Sequence, residues 1–515
     1  MFCRGLLALT FVLSLTVGTA PPLAGGAASA APAKPSYLVL IVMDGFRPDY
    51  LSLAPLHHLR ALMSQGTYYD TAWVGDLEST TPASHATIGT GVYPRKHNVI
   101  GFGWRDPATG RFTYAPTNTN QIHAGYLEKT MTADGVPTLS DEVHLHNPLD
   151  RVVSISGEKY YAAATIGAGA DYQLYGWLVN GKFRPQVIGP DTPPARTHFQ
   201  TVTSSNSYFD LQDGFAANLA VRMVDTIRPR ALLLNLPATD EAGHYYGTHD
   251  AADMRRIVKG DDDAIRKVMN EYKRLGIFSK TLFVVTADHG MVENSHIVPI
   301  HSMYTAFRKV AGTAQLDQEY RESMGAVWLP DPSQAETVAT SMAQQHFPGV
   351  EGAFYKVQTG NAFEFKAVPS TAASLSKPLL RAYLDLANTE AGPAGADVLL
   401  PYREDTLGFS TKNRKHWGKH GGFSWFSQHV PLLLEGPGVR HGVSHFPAEL
   451  VDIAPTIEHL MGWQVPTGVD GVVLGDAELS PSAADVSAQQ AVKTRRLQDL
   501  RAIQAHSQAQ THPTQ

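Results

Sequence analysis

The chain has 515 residues, 43% of them hydrophobic and 17% charged, and a formal net charge of −6. That length fits one large α/β domain with insertions, or two domains, and the composition excludes a disordered chain. The negative balance excludes a general basic field for nucleic acid or for an anionic membrane.

Arg4, the apolar run Gly5–Gly18 and the small-residue site Ala28-Ser29-Ala30 read as a secretory signal over residues 1–30. The apolar run is short for a bilayer span, and a retained anchor is the alternative. No later stretch is long and apolar enough to span a bilayer. The expectation is an exported protein, periplasmic or extracellular. The sole cysteine, Cys3, lies in the signal, so no disulfide is expected downstream although export would permit one.

Tyr37–Met43 is continuously apolar, as a central parallel strand would be. Leu51, Leu53, Leu56, Leu59 and Leu62 predict a helix over Asp49–Gln65, and Gly66–Val74 predicts a strand. Thr81-Pro82 reads as a helix start, with threonine as the N-cap and proline at the first helical position. Residues 104–137 lack periodicity and read as a surface excursion. A strand over Arg151–Ser156, a helix over Lys159–Ile166 and a hairpin turning at Asn180-Gly181 follow. Next come a helix over Leu211–Ile227, a strand over 231–237 and a helix over Asp262–Leu275. The Asp261-Asp262-Asp263 run is expected to cap that last helix. Residues 295–405 hold short strand-like runs around a helix, Ser333–Gln345, and predict a small α+β lobe. Val430–Leu434 predicts a core strand and Leu450–Met461 a helix. Residues 481–515 predict a helical or disordered tail, with the last ten residues disordered.

Chemistry-bearing residues follow the apolar runs. Asp44 ends the first, Asp240 and His244 follow the second, Asp288 and His289 end the third, and His420 lies in GKHGG. Open α/β sheets place their sites beyond the carboxyl ends of strands. Asp and His in these numbers suffice for two metal ions, and the mixture suits zinc better than magnesium or calcium. Two such ions about 4 Å apart can activate an oxygen nucleophile and stabilise a departing oxygen. Thr81 stands at a helix N-terminus, where the dipole favours a phosphate or sulfate. A threonine hydroxyl needs a base or metal to become a nucleophile.

The pieces MDGFRPDYL, TTPASHATIGTGVYPRKH, ATDEAGHYYG, TADHGM, GKHGG and VDIAPTIEHLMG, in this order, resemble the alkaline phosphatase superfamily, in its type I phosphodiesterase/nucleotide pyrophosphatase branch. The resemblance implies an α/β fold with a mostly parallel central sheet flanked by helices. Its catalytic domain would comprise 31–294 and 406–480, with 295–405 inserted. It implies one metal on Asp44, Thr81, Asp288 and His289, and the other on Asp240, His244 and His420. Thr81 would attack phosphorus and water would hydrolyse the phosphothreonine. Thr80 is the competing nucleophile, since a Thr-x-Pro pattern favours it.

Substrate class is the weaker part of the resemblance. Related diesterases carry Asn five residues after the YPxxH histidine, where this chain has Phe102. Some monoesterases carry Lys-x-Arg; here Lys159 is kept and Tyr161 stands in place of the arginine. The missing guanidinium tilts the reading toward small-molecule diesters or nucleotide pyrophosphates, with Lys159 as a catalytic charge sensor or as a solvated helix-start lysine. The alternatives are an alkaline phosphomonoesterase and a catalytically inactive secreted binding protein. A monoester-to-diester rate ratio separates the first, and a missing ligand would have marked the second.

Overall fold

The computed structural model describes residues 33–116, 119–180, 182–193, 208–248, 251–313, 317–319, 323–409 and 418–511. The expected N-terminal signal, Gly181, His249 and His416 lie outside the described residues.

A run without a polar face must be covered on both sides. Tyr37–Met43 forms a strand whose residues from Leu38 onward are wholly buried. It lies near the middle of a nine-stranded sheet ordered 442–444, 67–69, 432–435, 281–286, 37–43, 231–236, 152–156, 172–179, 182–187. The strands from 281–286 to 172–179 run parallel. Toward the edges, 432–435 runs antiparallel to both its neighbours and 182–187 closes a hairpin on 172–179. Helices Tyr208–Ile227 and Ala251–Arg274 bury Phe215, Leu219, Ile257 and Ile265 in the core that the sheet shares. The expected class therefore holds: an α/β protein with a mostly parallel central sheet and flanking helices.

The register levels three strand ends. Met43 pairs with Leu236, and Val42 pairs with Thr286. Asp44, the turn into helix Ala238–Tyr246 and Asp288 consequently emerge side by side at one end of the sheet.

A second, five-stranded antiparallel sheet is built from 317–319, 324–328, 398–401, 354–359 and 362–367 in that spatial order. Helices Ile300–Val310 and Ala335–Ala343 pack on it through Met303, Phe307, Val338 and Met342.

Several local expectations need correction. Asp49–Gln65 is not one helix but a 3-10 turn, Pro48–Ser52, and a helix, His57–Gln65. Pro55 lies in the break, where its missing N–H would interrupt an α-helical ladder. The strand expected over Gly66–Val74 shortens to Thr67–Tyr69. Thr80, not Thr81, is the N-cap of helix Thr81–Thr90, with extended φ and ψ of −132° and 151°. First-turn N–H groups make no intrahelical bonds, so Pro82 is tolerated at either of the first two positions and does not set the register.

Asp261–Asp263 lies inside helix Ala251–Arg274, because buried Met254, Ile257 and Val258 carry the apolar stripe back past the expected start at Asp262. Asp262 caps a different helix: its Oδ1 accepts from the N–H groups of His58 and Leu59. Residues 104–137 are partly core, with Trp104, Leu127 and Met131 buried. Their strands and helices are too short for periodicity to register. The C-terminal segment is a helix through Thr511, fixed by buried Leu500 and Ile503.

Candidate active site

Asp44 leaves its strand through Gly45, whose φ of +68° suits glycine. The Gly45 N–H donates to Asp288 Oδ1 at 3.1 Å. A Cβ there would lie 2.8 Å from the Asp240 Cα, so only glycine lets the two strand ends meet. Asp240 and His244 share one face of helix Ala238–Tyr246, with His244 Nε2 3.3 Å from Asp240 Oδ1. Asp288 and His289 sit in the loop just past strand Thr281–Thr286. Asp44, Asp240, Asp288 and His289 are all essentially buried.

Three imidazoles are held in one sense. His244 Nδ1 lies 2.9 Å from the Gly418 carbonyl, His289 Nδ1 2.9 Å from that of Gly290, and His420 Nδ1 3.1 Å from that of Ser79. Carbonyl oxygens only accept, so each neutral ring carries its proton on Nδ1 and turns the Nε2 lone pair inward. His420 Nε2 is 3.5 Å from Asp240 Oδ1, and His289 Nε2 is 3.5 Å from Asp44 Oδ1 and 3.4 Å from Asp288 Oδ2. Lone pairs facing carboxylate oxygens repel unless a proton or cation sits between them. Burial pushes the His289 and His420 rings below the usual histidine range; burial works against the charge of His244 too, but Asp240 raises it, and burial with Asp44 beside it pushes the Asp288 carboxyl up. Asp240 Oδ1 and Asp288 Oδ2 are buried and receive no hydrogen bond. Ligand atoms of Asp44, Asp288 and His289 lie within 4.8 Å of one another, as do those of Asp240, His289 and His420. This donor set fits divalent metal ions.

Thr81 Oγ1 stands 3.5 Å from Asp44 Oδ1 and 3.5 Å from His289 Nε2. Thr80 lines the same cavity, but its buried hydroxyl makes no hydrogen bond. Lys159 is not a solvated lysine. It is buried, with Nζ 3.2 Å from Asp44 Oδ1 and in contact with Asp240 Oδ2. Burial works against its charge, but Asp240 and Asp44 outweigh that and hold its pKa above the ordinary lysine value.

Behind these side chains, Asn235 ties three groups together. Its amide donates to Asp44 Oδ2 at 3.0 Å and to His85 Nε2 at 3.1 Å, and its carbonyl accepts from Ser156 Oγ at 2.7 Å. His85 in turn donates from Nδ1 to the Thr81 carbonyl at 2.8 Å. Burial pushes the His85 pKa down to about 4, consistent with this neutral ring. Sequence reasoning passed over Asn235, although a lone amide inside the apolar run ALLLNL is a signal. Other histidines near the motifs lie elsewhere: His296 is exposed beside Asp405, and His429 stacks on Trp425.

A cavity opens over Thr81, with Thr80, Asp240, His244 and His420 also in its lining. Lys159, Phe102, Tyr161, Glu241, Met324 and Lys419 complete its walls.

A family model described as type I phosphodiesterase / nucleotide pyrophosphatase matches residues 38–378. Bis(5'-adenosyl)-triphosphatase ENPP4 of Pongo abelii is 23% identical over 280 residues, 53% of this chain and 52% of the relative. The chain thus spans about half the length of that relative. Alkaline phosphatase PhoD of Zymomonas mobilis is 23% identical over 537 residues, 87% of this chain and 88% of the relative. Among solved structures, alkaline phosphatase PafA superposes with a TM-score of 0.66 at 16% identity, covering 87% of this chain and 100% of that one. An inactive variant of murine ectonucleotide pyrophosphatase / phosphodiesterase 5 in complex with AMP gives 0.56 at 15% identity, covering 88% and 99%. At such identities the structural likeness speaks for the fold.

Proposed function

The chain belongs to the type I phosphodiesterase / nucleotide pyrophosphatase family within the alkaline phosphatase superfamily, and from that premise we propose a phosphoester hydrolase with Thr81 as nucleophile. The observation that carries the reading is the inward Nε2 of three anchored histidines, met by three buried carboxylates beside the Thr81 hydroxyl. Asp44, Thr81, Asp288 and His289 would hold one divalent cation and Asp240, His244 and His420 the other, most consistently zinc. Bound there, the cations would lower the pKa of the attacking hydroxyl and neutralise charge on the phosphoryl and departing oxygens.

Thr81 Oγ1 bonds to phosphorus as the bond to the leaving oxygen breaks, and its proton passes to solvent. Water then attacks the phosphothreonine, releases the phosphoryl product and restores the hydroxyl. Helix Thr81–Thr90 directs its positive end at the attacked group. The Lys159 ammonium is positioned to donate to a non-bridging oxygen. Asn235 and His85 hold Asp44 and the Thr81 backbone in place.

Diesters or nucleotide pyrophosphates are the favoured substrates. No arginine is among the described residues lining the cavity, so the paired recognition a dianion rewards is not supported. The second reading, a monoesterase, is favoured by the two lysines there, Lys159 and Lys419. The apolar N-terminal run supports export to the periplasm or outside the cell. No helix among the described residues is long and apolar enough to cross a membrane.

The test is a side-by-side assay of zinc-loaded protein on p-nitrophenyl phosphate and bis-p-nitrophenyl phosphate, with Thr81→Ala and Thr80→Ala. The diester should win, and only Thr81→Ala should fall by about a thousandfold or more. A faster monoester would transfer the assignment to the second reading, and an active Thr81→Ala would overturn the nucleophile.

A further inference from the structure

A second group of metal-type side chains lies where the C-terminal helix joins the main domain. His459 is in the last turn of helix Ile453–Met461, and Asp485 is in the first turn of helix Ala483–Thr511. Glu478 directly follows the 3-10 turn Gly475–Ala477 that precedes the latter helix. One ligand atom from each of the three lies within 4.8 Å of the other two. None of these residues lines the catalytic cavity. The Glu478 backbone is pinned: it bridges Val439, its carbonyl accepts from Arg440 Nε at 3.2 Å, and the Leu479 N–H donates to the Gly438 carbonyl at 2.9 Å. The Glu478 carboxylate is only 6% exposed, and its Oε1 is buried without a hydrogen bond. Such an oxygen has lost its water and gained nothing in return. Asp485 is held at the helix start, its N–H donating to Ser482 Oγ at 3.0 Å and its Oδ2 accepting from the same hydroxyl.

An ion pair accounts poorly for the spacing. His459 Nε2 is 3.3 Å from Glu478 Oε2 and 3.8 Å from Asp485 Oδ2. A charge-assisted N–H···O bond is about 2.7–2.9 Å long, and a single N–H cannot serve both oxygens well. It also leaves Glu478 Oε1 without a donor. Zinc binds imidazole nitrogen and carboxylate oxygen at about 2.0–2.2 Å, so tetrahedral ligands around it stand about 3.3–3.6 Å apart. The first spacing matches, and the second needs only a small side-chain shift. A carboxylate that binds through both oxygens would give Oε1 its partner. His459 is 36% exposed, which leaves an open side for water to complete the shell. An imidazole beside two carboxylates suits zinc, whereas magnesium and calcium favour oxygen alone.

We propose that His459, Glu478 and Asp485 form a structural site for a divalent transition ion of the zinc type, which fastens the first turn of the C-terminal helix to helix Ile453–Met461. The site is additional to the two cations assigned to the catalytic cluster and does not rest on that reading.

The probe is zinc alone. The full chain and its His459→Gln and Glu478→Gln variants are stripped with a chelator, dialysed against one fixed concentration of free zinc and counted by plasma mass spectrometry. Each variant should carry one zinc ion fewer per chain than the unmodified protein, with phosphoester turnover unchanged. Zinc affinity at the lost position should fall by more than the about 10- to 100-fold that loss of an outer-shell partner costs. Anomalous scattering at the zinc edge, from crystals of the dialysed unmodified protein, should place an ion about 2.0–2.1 Å from His459 Nε2, and this readout needs no variant to fold. Equal zinc counts in the three proteins, or a map without an ion at His459, overturn the inference and leave an ion pair. A variant that loses zinc and turnover together overturns it too, because the missing ion then belongs to the catalytic cluster. Absence of turnover in the unmodified protein sinks the hydrolase reading instead, while the zinc count and the map still decide this site.

Discussion

The sharpest demands of this site fall on single residues. Gly45 bridges Asp288 and Asp240, and no Cβ fits there. Gly45→Ala should cut turnover by about a hundredfold or more while the protein still folds, as shown by kcat beside a far-UV melt, because misplacement by about 1 Å is costly to catalysis. Asn235→Leu removes the donor that orients Asp44, and zinc affinity by competition titration should weaken by about 10- to 100-fold. Asp44, Asp240 and Asp288 could be read from the sequence because each comes within a few residues of the end of an apolar strand, where a charged residue needs a reason. What could not be read was how the residues divide the work. His289 faces both carboxylate clusters, a fact that depends on its Nδ1 being tied to Gly290 rather than on any spacing. Phe102 and Tyr161 are far apart in sequence and adjacent in space, so their pairing carries no local signal.

Among elements, the C-terminal helix Ala483–Thr511 takes the helical of the two sequence readings and runs on into residues expected to be disordered. Its Ala- and Gln-rich composition hides the side chains that dock it. Arg496 is buried and donates to Asp452 Oδ2 at 2.6 Å, and it pairs with Glu449 Oε2 at 3.0 Å. Glu449 also accepts the Tyr93 hydroxyl, in the segment just after helix Thr81–Thr90. Arg381 joins Asp499 at 2.7 Å, and His506 lies 3.0 Å from Glu351. One helix therefore clasps the main domain and the second sheet together. Arg496→Met should destabilise the protein by about 3–5 kcal/mol in a guanidinium titration, since it leaves buried carboxylates without their cation. The break at Pro55 could have been read, because proline excludes a continuous helix there. The start of helix Ala251–Arg274 could not, because only tertiary burial of Met254 and Ile257 extends it.

For the molecule as a whole, buried titratable groups bound the pH range of stability. Burial pushes His97 down to about 3, and its Nδ1 accepts from the Val99 N–H at 3.2 Å. The unfolded chain takes up that proton near pH 6.5 and the folded chain does not, so this contribution is intact above pH 6.5 and is lost as pH falls toward 3. Glu458 has the opposite sense. Burial, with Glu142 nearby, pushes it up to about 9, so stability is lost as pH rises from about 4.5 toward 9. Melting temperatures across pH should fall on both sides, with His97→Gln flattening the acid limb and Glu458→Gln the alkaline one. Removing divalent ions with a chelator should lower stability by about 2.7 kcal/mol relative to protein held at a hundredfold excess over Kd. The sheet order has a kinetic consequence as well. Gly45 reaches Asp288 across 243 residues of chain, and Asn235 reaches Asp44 across 191. Long loops must close before such contacts are rewarded, and parallel pairing of this kind is slow. No early fragment of the chain can assemble the cluster, so a refolding molecule would take up the proposed zinc ions last. Zinc uptake followed by a colorimetric indicator should then track the slowest phase of tryptophan fluorescence, and metal capture becomes the signature of a finished fold.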